Sequence, residues 1–404
     1  MPLQFTTPKT VTIYDPSRAY NGYTLWAPHG LREVWLTDML GNFIHRWRVQ
    51  ELIGCYAQLL PTGNIIVGNR KSDSPVFDMP SSGGELLEMD WDGNVVWRHE
   101  DLINHHDFVR MDNGNTLISI WKPIPDAIAG KIKGGTPGTE RKGEILGDCL
   151  QEISPEGKVV WEWNSYDHMD PDTDIICPLC SRFTWSYINS MFVLPDGDIL
   201  VNFRVANTVA IIEKRTGDVK WRWGADQIGH QHNATAIDNG NILVFDNGLH
   251  NHSRVISPSH SRVIEVNPRT DQIEWEYTDK DAMSFYSSIC GSAQRLPNGN
   301  TLICESTRGR FFEVTMDKQI VWEFFSPLYM HNFRSEFFGE CTNLVYRAYR
   351  YGSDYEGLQG RNLEPGRFEW VLQKKGEPDS TGDIEMQGQD MEKAVKQRLE
   401  LLGY

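Results

Sequence analysis

Short apolar segments alternate with polar turns along most of the chain, and the pattern recurs. Each clear copy joins two apolar stretches through a turn that ends in glycine: LLPTGNIIV (59–67), RMDNGNTLI (110–118), VLPDGDILV (193–201), AIDNGNILV (236–244) and RLPNGNTLI (295–303). A weaker copy, YNGYTLW (20–26), lies near the start of the chain. Asn-Gly and Asp-Gly turns between apolar residues predict β-hairpins, because both central residues of a type I′ turn need a positive φ.

A second hairpin pattern follows each of these and closes on tryptophan. Its copies are EVWLTDMLGNFIHRW (33–47), ELLEMDWDGNVVW (85–97), CLQEISPEGKVVW (149–161), AIIEKRTGDVKW (210–221), RVIEVNPRTDQIEW (262–275) and RFFEVTMDKQIVW (310–322). Two hairpins per unit and six units predict an all-β chain, a six-bladed β-propeller of four-stranded antiparallel blades.

The repeat ends near residue 326, which predicts three regions. Residues 1–326 form the propeller, residues 327–376 form an ordered C-terminal extension that packs on it or closes its ring, and residues 377–404 form a polar tail. The tail ends in MEKAVKQRLELLGY, whose spacing predicts a short amphipathic helix. Two interpretations of this C-terminal part stay open, a terminal cap and a contact in a homo-oligomer.

Composition narrows the classes of function. Net charge is −16 in 404 residues, which disfavours binding of nucleic acid or an anionic membrane through a basic surface. No apolar run is long enough to span a bilayer, and the first residues lack a signal-peptide pattern, so a cytoplasmic protein is predicted. The pair Cys177-Pro-Leu-Cys180 is either a redox couple, half of a zinc site, or structural, and the last interpretation is favoured.

The turn glycines give a frame for superposing the units. Eight residues before them lie Cys55, His106, Asn189, His232 and Gly291, and ten residues before them lie Ile53, Asn104, Tyr187, His230 and Ile289. Residues two apart on a strand share a face. Three consecutive blades are therefore predicted to send polar side chains to one end of the central channel.

Seven residues after the same glycines lie Arg70, Trp121, Arg204, Asn247 and Ser306, on the neighbouring strand. Arg204 is predicted to approach Asn189 and His232, since its guanidinium suits an oxyanion. Structural alternatives stay open: each histidine as an ordinary core or surface residue, Asn189 as a turn cap, and Arg204 paired with Glu213. The shared register favours a functional site.

Five short motifs carry a resemblance to a known family: HHD (105–107), YINS (187–190), NFR (202–204), QHNA (231–234) and FDNG (245–248). With the hairpin repeats, they resemble the arylsulfotransferase family, six-bladed propellers that move a sulfuryl group between phenols.

The resemblance implies an enzyme that acts on a small aromatic substrate and needs no cofactor. It implies that His232 is the nucleophile, transiently sulfated, and that His106, Asn189 and Arg204 bind the sulfuryl oxygens. Tyr187 stands where the family motif commonly has histidine. The further candidates for substrate contact are Asn104, Asp107, His230, Asn247 and Arg70.

Two other functions fit the same residues. The first is a metal-dependent lyase, hydrolase or oxidase that holds a divalent transition metal through histidines, with His106, His230, His232, His250 and His252 as candidate ligands. The second is a non-catalytic propeller that serves as a binding platform.

Overall fold

The computed structural model describes residues 10–79, 81–251, 259–331, 341–373 and 381–387. The first strands are β1 (Val11–Tyr14), β2 (Gly22–Pro28), β3 (Glu33–Thr37), β4 (Phe43–Arg48), β5 (Leu52–Leu59), β6 (Ile65–Arg70), β7 (Gly84–Met89), β8 (Val95–Glu100), β9 (Asn104–Arg110) and β10 (Thr116–Pro123). The next are β11 (Gly134–Thr136), β12 (Leu146–Ile153), β13 (Val159–Asn164), β14 (Ile176–Ser181), β15 (Thr184–Trp185), β16 (Ile188–Val193), β17 (Ile199–Phe203), β18 (Thr208–Ile212) and β19 (Val219–Trp223).

The remaining strands are β20 (His232–Ala236), β21 (Ile242–Asp246), β22 (Arg262–Asn267), β23 (Gln272–Tyr277), β24 (Ser292–Arg295), β25 (Thr301–Glu305), β26 (Arg310–Val314), β27 (Ile320–Phe325), β28 (Met330–His331), β29 (Cys341–Thr342), β30 (Val345–Gly352), β31 (Arg367–Gln373) and β32 (Thr381–Gln387). The described helices are single turns: α1 (Asp126–Ala129), α2 (Ser165–His168) and three 3₁₀ turns at Ala282–Ser284, Ser306–Arg308 and Glu356–Leu358. None of the helices in these described ranges is long and apolar enough to cross a membrane.

The strands form six antiparallel sheets of the β-propeller fold, which confirms the predicted fold class. Their strand orders are β30-β2-β3-β4, β5-β6-β7-β8, β9-β10-β12-β13, β16-β17-β18-β19, β20-β21-β22-β23 and β24-β25-β26-β27. We call these the first to sixth sheets. The predicted hairpins form, but their turns are not type I′. Gly114 and Gly240 each have φ of 84°, a conformation that favours glycine, whereas the asparagine before each does not have a positive φ. The N–H of Gly114 bonds to the carbonyl of Met111 at 2.9 Å, as in a type I turn followed by a glycine bulge.

The closing tryptophans of the repeat join neighbouring sheets. The indole N–H of Trp161, on the third sheet, donates to the carbonyl of Lys214 in the outer turn of the fourth, at 3.1 Å. Trp221, on the fourth sheet, donates to the side chain of Asp271 in the outer turn of the fifth, at 2.9 Å. Trp161 and Trp221 therefore each supply apolar surface and one directed contact to the next sheet.

The boundary drawn at residue 326 needs correction. Strand β30, from the C-terminal extension, pairs with β2 from Gly22 opposite Gly352 to Pro28 opposite Val345. The weak repeat at 20–26 consequently forms one strand and no hairpin, since its partner comes from the other end of the chain. β1 adds a fifth strand to the sixth sheet by pairing with β27.

Part of the predicted polar tail is also a strand. Residues Thr381–Gln387 form β32, which pairs with β31 in an antiparallel hairpin. The amphipathic helix predicted at 391–404 lies outside the described residues.

The chain divides into two compact units. One comprises the segments up to Val67, Leu87–Arg98 and from Gln294 onward, and the other comprises Gly68–Leu86 and His99–Ala293. The second unit has its own core, in which Trp121, Trp163 and Trp185 are almost fully buried among aliphatic side chains. Every candidate site residue described below belongs to this second unit.

Candidate active site

The first strands of the third, fourth and fifth sheets are irregular where the site was predicted. Pairing of β9 with β10 passes over His106 and Asp107, and pairing of β16 with β17 passes over Asn189. Pairing of β20 with β21 shifts just after His232. Such bulges turn side chains away from the regular alternation and often lie next to active sites.

Several residues at these positions have a left-handed backbone. The φ angles are 53° at His106, 56° at Tyr187, 53° at His230 and 53° at Cys290. A residue other than glycine in such a conformation costs about 1–3 kcal/mol, and such residues gather at active sites and ligand clamps. The cluster in one unit supports the predicted location of the site.

His106 ends a buried chain of three side chains. Its Nδ1 lies 2.9 Å from Nδ1 of His105, and Nε2 of His105 lies 3.1 Å from a carboxylate oxygen of Asp148. The carboxylate is not aligned for a hydrogen bond with this nitrogen, but its charge favours the tautomer of His105 with the proton on Nε2. Nδ1 of His105 then accepts from Nδ1–H of His106. The basic nitrogen of His106 is therefore Nε2.

Sequence reasoning missed the parts of His105 and Asp148 in this chain. In the sequence, His105 appears only as the first residue of the HHD motif, which was selected for His106. Asp148 was visible as an acidic residue inside the buried strand LGDCLQEI. In the structure its second carboxylate oxygen accepts from the hydroxyl of Ser186, which accounts for a buried charge in an otherwise apolar strand.

Tyr187 lies between an imidazole and a guanidinium. Its ring centroid is 4.7 Å from that of His106, and the guanidinium carbon of Arg204 is 5.3 Å from the ring centroid. Burial raises the pKa of the Tyr187 phenol, and the nearby Arg204 only partly offsets this. Tyr187 is therefore a neutral hydrogen-bond donor.

The structural alternative for Arg204, a pair with Glu213, does not form. The carboxylate of Glu213 accepts instead from Arg215 and from Thr216.

His232 is fixed through both ring nitrogens. Its Nδ1 lies 2.7 Å from Oδ1 of Asn247, whose amide nitrogen donates to the carbonyls of Ser287 and Cys290. That amide orientation makes Oδ1 an acceptor, so Nδ1 of His232 carries the proton. Nε2 is then the nitrogen with the lone pair, and it accepts from the backbone N–H of Cys290 at 3.2 Å.

Asn189 makes contacts inside the sheet structure. Its amide nitrogen donates to the carbonyl of Gln231 at 2.9 Å, and its Oδ1 accepts from Asn202 at 2.6 Å. Gln231 precedes His232, so Asn189 ties the fourth sheet to the strand that carries the candidate nucleophile. Contact of Asn189 with substrate stays a prediction.

A repeated contact occurs seven residues before the turn glycines. Asp107 accepts the backbone N–H of Met191 at 2.7 Å. Ser190 accepts that of Ala234 at 3.1 Å, and Asn233 accepts that of Ala293 at 3.0 Å. In each case a side-chain oxygen on one sheet accepts the backbone N–H of a residue in the first strand of the next sheet. These contacts give Asp107 a structural role beside its predicted one.

Two other predicted residues lie against loop backbone. Oδ1 of Asn104 accepts the N–H of Gly84 at 2.6 Å, and a Cβ at Gly83 would stand 1.7 Å from it. Arg70 donates to the carbonyl of Phe77 and lies over that ring, 4.5 Å from its centroid. Both contacts fix the segment that precedes β7, and their predicted contact with substrate stays untested.

The two cysteines of the CxxC pair meet two histidines. Sγ of Cys180 lies 3.4 Å from Nε2 of His230, and Sγ of Cys177 lies 3.6 Å from Nδ1 of His250. One donor atom from each of the four residues lies within 4.8 Å of every other. Cys177 and His230 are buried, while Cys180 and His250 are half-buried. We call these four residues the Cys₂His₂ cluster.

The environment of the cluster favours a thiolate and a neutral imidazole. The pKa of Cys177 is lowered, first of all because its sulfur accepts a hydrogen bond from Cys180, and the pKa of Cys180 is raised for the same reason. Burial, and after it the charge of Arg204, lowers the pKa of His230 to about 3. Cys177 and His230 therefore have the protonation states that metal ligands require, whereas Cys180 would lose its proton on binding a metal.

The metal ligands predicted from sequence are therefore only partly brought together. His230 and His250 lie in the cluster, whereas His106 and His232 make the contacts described above. His252 lies outside the described residues. The cysteines, judged structural from the sequence, complete the set. The spacing of one motif could not reveal the full set, because the residues lie on strand β14 and on two separate loops.

A family model described as arylsulfotransferase matches residues 76–327, well over half of the chain. The chain belongs to the arylsulfotransferase family. The recognition made from the five motifs is thereby confirmed, and an arylsulfotransferase-like transferase is the general function it indicates. All five motifs lie inside the matched range.

Solved structures of low sequence identity are similar to this arylsulfotransferase-family chain. A protein of unknown function from Bacteroides caccae superposes with a TM-score of 0.51 at 12% identity, covering 81% of this chain and 98% of that one. A streptogramin B lyase gives a TM-score of 0.44 at 11% identity, with 79% and 84% covered. A virginiamycin B lyase from Staphylococcus aureus with quinupristin gives 0.42 at 9% identity, with 78% and 88% covered. No curated protein matches the chain.

Proposed function

We propose that this arylsulfotransferase-family chain moves a sulfuryl group from an aryl sulfate to a phenol through a sulfohistidine at His232. The observation that carries the proposal is the hydrogen bond from Nδ1–H of His232 to Asn247, 2.7 Å long. It leaves the lone pair on Nε2 of a neutral imidazole, which is a competent nucleophile.

In the first half-reaction, Nε2 attacks the sulfur and the sulfur–oxygen bond to the aryl group breaks. The electron pair of that bond leaves with the phenolic oxygen. The sulfated ring becomes cationic while Nδ1 keeps its proton, and Asn247 stabilises it by accepting from Nδ1–H. In the second half-reaction, the acceptor phenol attacks the sulfur, the nitrogen–sulfur bond breaks, and neutral His232 is restored.

Attack requires Nε2 to exchange its hydrogen bond with Cys290 for the sulfur atom. At 3.2 Å this bond is at the long end of the normal range, so little stabilisation is given up. The released N–H of Cys290 then lies beside the reacting centre and can donate to a sulfuryl oxygen. Backbone donors aimed at developing negative charge are a common device in acyl and phosphoryl transfer.

Arg204 and Tyr187 are the other proposed donors to the sulfuryl oxygens. Arg204 supplies a positive charge, and Tyr187 supplies a neutral phenolic O–H, since burial raises its pKa. A phenol and a guanidinium within 5.3 Å of each other offer donors of different reach to the same anion. Charge-assisted donors of this kind are roughly twice as strong as neutral ones.

His106 is proposed to carry the proton that the two phenols exchange. The leaving oxygen gains a proton in the first half-reaction, and the acceptor phenol loses one in the second. His105 and Asp148 stand behind His106, so that Nδ1 of His106 keeps its proton in the contact with His105 while Nε2 exchanges another. Nε2 of His106 can therefore give the proton and take it back.

The test is the initial rate of transfer from 4-nitrophenyl sulfate to a second phenol while both concentrations are varied. A sulfohistidine intermediate predicts ping-pong kinetics, with parallel lines in reciprocal plots. Release of 4-nitrophenol should also show a burst before steady state. His260→Gln is the matched control, since His260 is a half-buried histidine of the same unit, and it should behave as wild type.

Intersecting lines would contradict the covalent step, because they indicate direct transfer between two bound phenols. Absence of transfer with several aryl sulfates would contradict the reaction class. The binding-platform alternative predicts that second result.

A further inference from the structure

The structure assigns a zinc site to the Cys₂His₂ cluster: we propose that Cys177, Cys180, His230 and His250 bind one Zn²⁺ ion with structural function. Two thiolates and two imidazoles are the ligand set that tetrahedral zinc prefers. With two thiolates and two neutral imidazoles, the charge of the ion is balanced by its ligands.

The spacing of the donor atoms fits this ion. Zinc bonds of about 2.3 Å to sulfur and about 2.0 Å to nitrogen, at tetrahedral angles, set sulfur and nitrogen about 3.6 Å apart. The observed separations are 3.4 Å for Cys180 to His230, 3.6 Å for Cys177 to His250 and 3.9 Å for Cys180 to His250. Each lies within a few tenths of an ångström of the edge of such a tetrahedron.

The surroundings of the cluster resemble an outer shell of ligand contacts. The backbone N–H of Leu179 bonds to the sulfur of Cys177, and the side chain of Arg204 reaches the sulfur of Cys180. Donors to thiolate sulfur orient the ligands and stabilise their charged form. The backbone N–H of Cys177 is itself held by the carbonyl of Val205, at 2.9 Å.

Four protein ligands leave no open position, which distinguishes a structural zinc from a catalytic one. The ligands come from the strand β14, from the loop before β20 and from the loop after β21. Cys180 and His230 are 50 residues apart, and Cys177 and His250 are 73 apart. An ion would therefore fasten the insertion that precedes Tyr187 to the segment that leads into His232. We infer that the zinc fixes the backbone on which the transfer site is built.

The experiment measures metal in the purified full chain by elemental analysis after exhaustive dialysis. The expected result is one zinc per chain, released in step with modification of two thiols by a mercurial reagent. Replacement by Co²⁺ should give intense visible bands of a tetrahedral ion and a thiolate charge-transfer band in the near ultraviolet.

The variants are Cys180→Ser and His250→Asn, chosen because both side chains are only half-buried and each removes one ligand. Zinc content after dialysis should fall to background in both, and the melting temperature should fall. Cys55→Ala is the control: it removes a buried cysteine outside the cluster and should keep one zinc per chain.

Three results would overturn the proposal. The first is a zinc content at background in wild type whose thiols titrate freely. The second is unchanged zinc content in both variants. The third is a Cys177–Cys180 disulfide in protein purified without oxidant. Because these readouts do not involve sulfuryl transfer, they stand whether or not the proposed function holds.

Discussion

His232 and His106 lie in the same unit and differ in what stands behind Nδ1. Behind His232 is the amide of Asn247, a neutral acceptor anchored by two backbone carbonyls. Behind His106 is a second imidazole, His105, which reaches the buried carboxylate of Asp148. A histidine is thus held by a neutral amide at one position and by an imidazole next to a carboxylate at the other.

This difference separates two chemical tasks. A neutral acceptor fixes the tautomer of His232 without favouring its protonated form, which suits a nucleophile that needs its lone pair. The contact of His106 with His105 keeps one proton on Nδ1 and leaves Nε2 to exchange another, which suits a group that carries a proton. Each substitution below alters one side of this contrast.

The largest effect is expected for His232→Gln. The variant lacks the proposed nucleophile, and loss of a nucleophile removes roughly 10⁴-fold or more of the rate. Burst release of 4-nitrophenol from 4-nitrophenyl sulfate should disappear, while the melting temperature stays near that of wild type. A burst of normal size in this variant would place the covalent step on another residue.

A smaller loss is expected for His106→Asn. Asparagine tolerates the left-handed backbone at this position better than most residues, so the substitution tests chemistry more than folding. Loss of a positioned acid–base group costs about 10²–10⁴-fold. The rate should fall more for donors whose phenol is a poor leaving group than for 4-nitrophenyl sulfate, because only a poor leaving group needs a proton. An equal loss for all donors would contradict the assignment.

For Asp148→Asn we expect about a 10- to 100-fold loss, by analogy with other side chains that orient a catalytic group. The amide can still bond to Ser186, but it removes the negative charge beside His105. Comparison of kcat between good and poor leaving groups should show the same bias as His106→Asn, only weaker. Absence of any bias would show that the relay does not operate.

Asn247→Ala tests the neutral side of the contrast. The change removes hydrogen bonds to His232 and to two buried carbonyls, so unfolding should become easier by about 1–3 kcal/mol. The burst should slow while KM for the donor stays near that of wild type, because Asn247 acts on His232 and not on substrate. A wild-type burst rate would contradict its positioning role.

The smallest effect is expected for Tyr187→Phe. One neutral hydrogen bond is worth about 0.5–1.5 kcal/mol, which corresponds to roughly a two- to tenfold lower rate. Burial raises the pKa of Tyr187, so the phenol stays protonated through the alkaline range. The alkaline limb of the pH–rate profile should therefore lie at the same pH in the variant. Movement of that limb would show that Tyr187 ionises during catalysis.

The hairpins could be predicted because turn chemistry is local. Glycines such as Gly114 and Gly240 lie next to the polar residues that make a tight turn, and the apolar strands lie on either side. Pairing across the whole length of the chain has no such local signal. For that reason closure of the ring by the extension was only one of two alternatives, and the pairing of β2 with β30 was not predicted.

For the candidate site, the sequence predicts a set of residues in shared register and only part of the contacts that they make, and their role in catalysis stays a prediction. Counting residues from the turn glycines singled out His106 and His232. The count assumed that side chains alternate regularly along each strand, and the bulges at both residues interrupt this alternation. Asp148 lies on another strand, outside the counted positions. The Cys₂His₂ cluster depends on loops whose course no periodic pattern describes.

The sulfohistidine is tested most directly by the mass of peptides from enzyme that is mixed with 4-nitrophenyl sulfate and stopped in alkali before an acceptor is added. A sulfohistidine at His232 predicts a mass increase of one sulfuryl group on the peptide that contains His232. The increase should be absent from His232→Gln and should disappear when a phenol is added. A sulfuryl group on the peptide that contains His106, or an unmodified enzyme that still turns over, would contradict it.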